Sequence, residues 1–257
     1  MPRRVDYEAI AASYGRRYDD GRAKGRRDAV RQLAADPGVR RAVELGCGTG
    51  HWLDVLREAG VQAYGVDLSP GMLREGRARE APCVCADACA VPFADETFGL
   101  AFCVNALHHF GDPAVAIAEA HRVLRVGGRF AVMGGSPHGR RDRWYGFEYF
   151  DGVWERDIAR IPRWAQVAEW MTRAGFNPPE LSVVERTHDP KFGRAVLTDP
   201  FLAKGACSQL ALLSDDEYAR GVERIERAVE AAEARGETAR FEADFTIEML
   251  STRKAAP

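Results

Sequence analysis

The pattern of apolar and polar positions divides the chain into strands with helices between them. "VRRAVELGCG" reads as a buried strand, and "HWLDVLREAG" then places Trp52, Val55, Leu56 and Ala59 on one helical face before Gly60 stops it. "VQAYGVDLS" predicts a second strand, "PGMLREGRARE" a helix with Pro70 in its first turn, and "PCVCADA" a third strand. "FGLAFCVNAL" is a fourth strand, "DPAVAIAEAHRVLR" a helix capped by Asp112, and "GGRFAVMGG" a fifth strand. Strands alternating with helices at this spacing indicate a doubly wound, mostly parallel α/β sheet.

After Gly135 the rhythm changes. "SPHGRRDRWYGFEYFDGVWERDIAR" is rich in aromatics and charge, "PRWAQVAEWMTRAGF" has helical periodicity, and "PELSVVERTH" is a sixth strand. Residues 189–236 have no strand rhythm and end in "SDDEYARGVERIERAVEAAEARG", a helix whose Ser214 and Glu217 match a capping box. "RFEADFTIEML" alternates strongly and is the last strand. The expected organisation is one domain over 1–257, with an N-terminal segment at 1–27, a core at 28–188 and 237–254, and a helical insertion at 189–236. An insertion this long serves either as packing or as a cap over substrate.

With 257 residues, 46% of them hydrophobic, the chain can bury a substantial core. Its formal net charge of −2 gives no basis for a general nucleic-acid surface. No apolar run approaches the ~20 residues that span a bilayer, and "MPRRVDYEAI" lacks a secretory apolar segment, so the expectation is a cytoplasmic protein without membrane contact. The six cysteines read as reduced thiols, with Cys83 and Cys85 on one strand face as small core residues.

The chemistry concentrates at strand ends. Gly46, Gly48 and Gly50 form G-x-G-x-G after the first strand, where glycine lets a ligand touch the backbone; the dinucleotide fingerprint is G-x-G-x-x-G, which makes a nicotinamide dehydrogenase the weaker reading. Glu44 puts a carboxylate inside a buried strand, a costly placement unless an arginine, the backbone or a ligand ammonium answers it. Asp67 ends the second strand, where its two oxygens can face two ribose hydroxyls. Asp87 ends the third, positioned for an exocyclic amine.

Together these motifs resemble the class I S-adenosylmethionine-dependent methyltransferases, and among them the small-molecule group that includes the ubiquinone and menaquinone C-methyltransferases. The likeness runs from "VELGCGTGHW" through "GVDLSPGML" and "ADACAVPFADETFGLAFCVNALHHF" to "EAHRVLRVGGRFAVM" and the closing "FTIEMLSTRK". The resemblance implies a Rossmann-like sheet with an antiparallel C-terminal strand and a helical cap. It also implies S-adenosylmethionine as methyl donor, with S-adenosylhomocysteine as product. Gly46, Cys47, Gly48 and Gly50 would then approach the cofactor, Glu44 its amino-acid end and Asp67 its ribose. Leu68 and Met72 would cover the adenine, Asp87 and Ala88 read its edge, and Asn105 and Ala106 line the floor near the methyl. One departure is Phe98-Gly99, where the family commonly has Phe-Asp.

The acceptor side is less defined. His108 and His109, in "NALHHF", are the candidate bases, since imidazole titrates near physiological pH. The N-terminal stretch resembles the family's entry segment, so Tyr7, Tyr14 and Tyr18 are candidates to close the site, Tyr14 against the cofactor; Arg16 to Arg27 read as a solvated helix face. The aromatics of "RRDRWYGFEYF" hold a flat acceptor or form a satellite core. The leading expectation is transfer of methyl to a small-molecule acceptor, on oxygen, carbon or nitrogen, with no metal. The alternatives are methylation of a tRNA base and a non-catalytic S-adenosylmethionine-binding protein.

Overall fold

A computed structural model describes residues 5–14, 23–76, 82–139 and 142–256, which fall into two compact units. The sheet unit takes in 7–136, 162–185 and 247–257; the helical unit takes in 1–6, 137–161 and 186–246. Besides the expected 189–236, the helical unit therefore includes 137–161 and short segments on either side of the insertion.

Along the chain come α1 (Tyr7–Tyr14), α2 (Lys24–Ala34), β1 (Arg41–Leu45), α3 (His51–Glu58), β2 (Gln62–Asp67), α4 (Pro70–Glu75), β3 (Cys83–Cys85), β4 (Phe98–Val104), α5 (Pro113–Val123) and β5 (Leu124–Gly134). There follow β6 (Arg143–Trp144), α6 (Tyr145–Tyr149), α7 (Val153–Arg160), α8 (Trp164–Arg173), β7 (Glu180–His188), β8 (Lys191–Phe192), α9 (Ser208–Ala211), α10 (Asp215–Ala234), β9 (Arg240–Phe241) and β10 (Ala243–Arg253).

The sheet unit has strand order β3-β2-β1-β4-β5-β10, parallel except for β10, which runs antiparallel to β5. Chain order reverses between β1 and β4, and in such sheets the crevice at the carboxyl ends of those strands is where ligands bind. Alternate residues of the buried strands supply the two faces. Val43, Leu45, Val66, Ala101 and Cys103 pack with Ile117, Ala120 and Met171, while Ala42, Leu100, Phe102 and Val104 pack with Val30, Leu33, Leu53 and Leu56. Each such large side chain contributes about 1.5–3 kcal/mol by leaving water, which explains why β1 and β4 hold their register.

Three local expectations change. Helix α3 ends at Glu58, so Ala59 is its exposed C-cap and Leu53 takes its place on the buried face. Cys83 and Cys85 are exposed, because β3 is a three-residue edge strand. Arg26 is not solvated: it pairs with Glu185 at 2.9 Å. Gly99 also gains a reason, since a Cβ there would lie 2.3 Å from the Gly38 carbonyl oxygen.

The helical unit has its own core of Trp144, Tyr145, Phe150, Val196, Leu210, Ile225, Val229 and Phe241, so these aromatics form a satellite core. Its longest helix, α10, carries the capping box in full. Ser214 Oγ accepts the Glu217 N–H at 3.1 Å, and the Glu217 carboxylate accepts the Ser214 N–H at 2.7 Å. No helix among the described residues is long and apolar enough to cross a membrane.

Candidate active site

The turn after β1 is shaped by three left-handed glycines, with φ of 71° at Gly46, 54° at Gly48 and 77° at Gly50. The N–H groups of Gly46 and Cys47 share the Val66 carbonyl at 2.8 and 3.0 Å, which ties the turn to the end of β2. A Cβ on Gly46 would lie 2.6 Å from the Ala106 Cβ, so the turn also touches the segment leaving β4. At Gly48 the direction of a Cβ is open, with nothing within 4 Å. Helix α3 then starts at Gly50 without a side-chain cap, and the first N–H groups of a helix have no partner inside it.

Two carboxylates meet this turn. Asp67 Oδ2 accepts the Gly48 N–H at 2.7 Å and Oδ1 accepts the Ser69 N–H at 2.9 Å. A carboxylate has about four acceptor sites, so Asp67 keeps capacity for a further donor such as a ribose hydroxyl. Burial nonetheless raises its pKa, outweighing the backbone donors of Ser69, Gly48 and Leu68. Glu44 is only 1% exposed and its Oε2 has no hydrogen-bond partner. Among the described residues neither arginine nor backbone answers that oxygen, and its pKa stands well above the ordinary range because of burial, with Cys83 and Asp67 adding to the effect. A buried carboxylate with an open acceptor site is complementary to a cationic donor.

The remaining cofactor-side candidates surround these acids in sequence order. Leu68 follows Asp67 and is 65% exposed, an apolar surface on the rim, whereas Met72, within α4, is buried. Asp87 is exposed and its Oδ1 accepts the Cys89 N–H at 2.9 Å, with Ala88 buried beside it. Asn105 leaves β4 with φ of 53°, a conformation asparagine tolerates better than most residues. Its N–H is held by the Met133 carbonyl at 2.8 Å. Tyr18 and the side chain of Tyr14 lie outside what the structure describes.

His108 and His109 sit on a single 3-10 turn, Leu107–His109, with ring centroids 4.0 Å apart. His109 Nε2 lies 2.7 Å from the Tyr7 hydroxyl, so α1 reaches the segment after β4. The adjacent residue, Glu8, reaches the segment after β2. Its carboxylate accepts the Gly71 N–H at 2.6 Å, the Ser69 hydroxyl at 2.7 Å and the Arg74 guanidinium at 2.9 Å. The backbone bond to Gly71, then that to Ser69, holds its pKa below the ordinary range. Sequence reasoning missed Glu8, because its partners lie more than sixty residues away.

The family description that matches residues 43–132 is a methyltransferase domain. Demethylmenaquinone methyltransferase of Corynebacterium kroppenstedtii is 40% identical over 102 residues, covering 40% of this chain and 44% of that protein. Malonyl-[acyl-carrier protein] O-methyltransferase of Halorhodospira halophila is 33% identical over 199 residues, covering 69% of this chain and 64% of that protein. The matched part thus spans about half the length of such relatives, from 44% to 64% in these two. In fold, the chain is similar to a putative methyltransferase from an antibiotic biosynthesis pathway of Anabaena variabilis, with a TM-score of 0.65 at 19% identity over 88% of this chain and 95% of that one. Residues 43–132 therefore match a methyltransferase domain, and the chain shares the fold of a solved putative methyltransferase.

Proposed function

We propose that the crevice binds S-adenosylmethionine and that the protein transfers its methyl group to a small-molecule acceptor. The observation that carries this reading is the buried, open Oε2 of Glu44 below a glycine turn whose next strand ends in Asp67. A dinucleotide would bring its pyrophosphate to that turn, whose G-x-G-x-G spacing departs from the dinucleotide fingerprint. S-adenosylmethionine has no phosphate and carries an ammonium and a ribose diol, which suit Glu44 and Asp67. Leu68 and Met72 supply apolar cover for the adenine, with Asp87 and Ala88 at its edge, and Asn105 and Ala106 form the floor.

The sulfonium of the bound cofactor supplies an already activated methyl. The chain's own work is to hold the acceptor nucleophile in line and exclude water, an ordering that is worth roughly 7–11 kcal/mol. An enol, phenol or carbon acid must also lose a proton, and the pair His108 and His109 is the candidate to take it. The Tyr7 hydroxyl bonds to His109 and orients its ring, so replacing either group should alter the pH profile of turnover. The substrates for which those relatives are named, demethylmenaquinone and malonyl-[acyl-carrier protein], make carbon and oxygen acceptors the first to screen.

Isothermal titration with S-adenosylmethionine, S-adenosylhomocysteine and NADH in parallel tests the reading. Saturable binding of the first two alone is expected. Binding of NADH alone would return the chain to the dehydrogenases.

A further inference from the structure

One row of register-paired residues crosses the sheet unit: Cys83 on β3, Gly65 on β2, Glu44 on β1 and Phe102 on β4. Residues paired in this way point to the same face. Gly65 has no side chain, and Cys47 fills its place. A Cβ built on Gly65 would lie 2.5 Å from Cys47 Sγ and 3.0 Å from the Cys47 Cβ. The glycine turn thus lowers the Cys47 thiol into the row beside Cys83, whose strand is one spacing of about 4.8 Å from β2. Cys83 is exposed and open to a small oxidant, whereas Cys47 is buried. The neighbouring Cys83 thiol, followed by burial, pushes the Cys47 pKa up, and the Cys47 thiol beside it lowers that of Cys83. Cys83 is accordingly the more readily ionised of the two.

We propose that Cys47 and Cys83 form a redox modification site, in which oxidation joins them as a disulfide that draws the glycine turn out of its cofactor-binding shape. The effect on binding rests on the reading of that turn as the S-adenosylmethionine site. The oxidant is a low-molecular-weight disulfide. The Cys83 thiolate attacks one of its sulfurs and releases one thiolate; Cys47 then gives its proton to solvent, attacks the Cys83 sulfur and displaces the second thiolate. Two protein thiols become one disulfide, and the oxidant is reduced to two thiols. An S–S bond is about 2.05 Å long, shorter than any non-bonded approach of two sulfurs, so forming it draws Cys47 and Cys83 together and pulls on the glycine turn. Gly46 and Gly48 flank Cys47, and Gly48 N–H is the group bonded to Asp67. The displacement therefore falls on the cradle itself.

The test oxidises the reduced full chain with oxidised glutathione, blocks the free thiols and maps the peptides by mass spectrometry. S-adenosylhomocysteine is titrated calorimetrically before oxidation, after it and after re-reduction. A peptide linked through Cys47 and Cys83 is expected, with at least tenfold weaker binding that the reductant restores, while Cys83→Ser treated identically keeps its affinity. Linkage of Cys83 to Cys85 or Cys89, no linkage, or a linked chain that binds as well as the reduced one would overturn the proposal. Failure of the reduced chain to bind the ligand would overturn the cofactor reading, whereas the peptide map alone decides whether the disulfide forms.

Discussion

Buried acids of the helical unit and Glu44 of the sheet unit differ in how they are answered. In the helical unit, Asp157 is 2% exposed, accepts from Arg160 Nε at 2.8 Å and from Gln209 Nε2 at 3.1 Å. Asp199 there accepts the Tyr145 hydroxyl at 2.9 Å and the Phe201 N–H at 3.1 Å. In the sheet unit, Glu44 is as deeply buried and keeps an oxygen without a partner. The first kind of acid holds a fold together; the second, on the reading proposed above, is completed by the ammonium of a ligand. Sites that bind strongly often carry such local cost, and the surrounding core offsets it.

The largest effect should come from breaking a completed pair. Asp157→Ala leaves the mostly buried Arg160 without its carboxylate, and a loss of about 3 kcal/mol is expected in urea unfolding. A change below ~0.5 kcal/mol would remove the distinction between the two kinds of acid. Next, Asp67→Ala should weaken S-adenosylhomocysteine binding by more than about 1 kcal/mol, or roughly fivefold, through loss of charge-assisted hydrogen bonds. Calorimetry showing equal affinity in a folded variant would remove Asp67 from the site. Of similar size, Ser214→Ala should cost about 1 kcal/mol by opening the capping box of α10. Circular dichroism melts would detect it.

A smaller effect concerns pH. The Glu44 pKa is raised in the folded chain, so its contribution to stability is fully present below the unfolded carboxylate value and is lost as pH rises through the folded one. Glu217 has the opposite sign: its folded pKa is lowered to about 2, first by the Ser214 N–H and then by Arg156, so its contribution is present above the ordinary carboxylate pKa and is lost as pH falls towards 2. Melting temperature against pH, compared with Glu44→Gln and Glu217→Gln, should separate the two slopes. Identical slopes in all three proteins would contradict both assignments.

The elements were legible because each rests on local pattern. Apolar β1 and β4, the Asp112 cap with its Ala114 and Val115 bonds, and the Ser214–Glu217 box all involve neighbours in the chain. The cost of placing Glu44 in a strand was legible too, but the absence of a partner for Oε2 depends on what three other strands bring near it. Cys83 and Cys85 looked like core positions because alternation says which face a residue takes and not whether its strand is at an edge. Tyr7 was a candidate to close the site, yet its bond to His109 spans over a hundred residues. Gly99 departed from the family pattern, and only the Gly38 carbonyl packed against it explains why.

The central claim, that the crevice keeps Glu44 incomplete for a cationic ligand, is tested most directly by Glu44→Gln. Its melting temperature at neutral pH and its calorimetric affinity for S-adenosylhomocysteine would be measured beside the parent chain. The account predicts a free protein at least as stable as the parent, because a charge-bearing group has left a buried place, together with at least tenfold weaker binding. A destabilised variant that binds as tightly as the parent would contradict it.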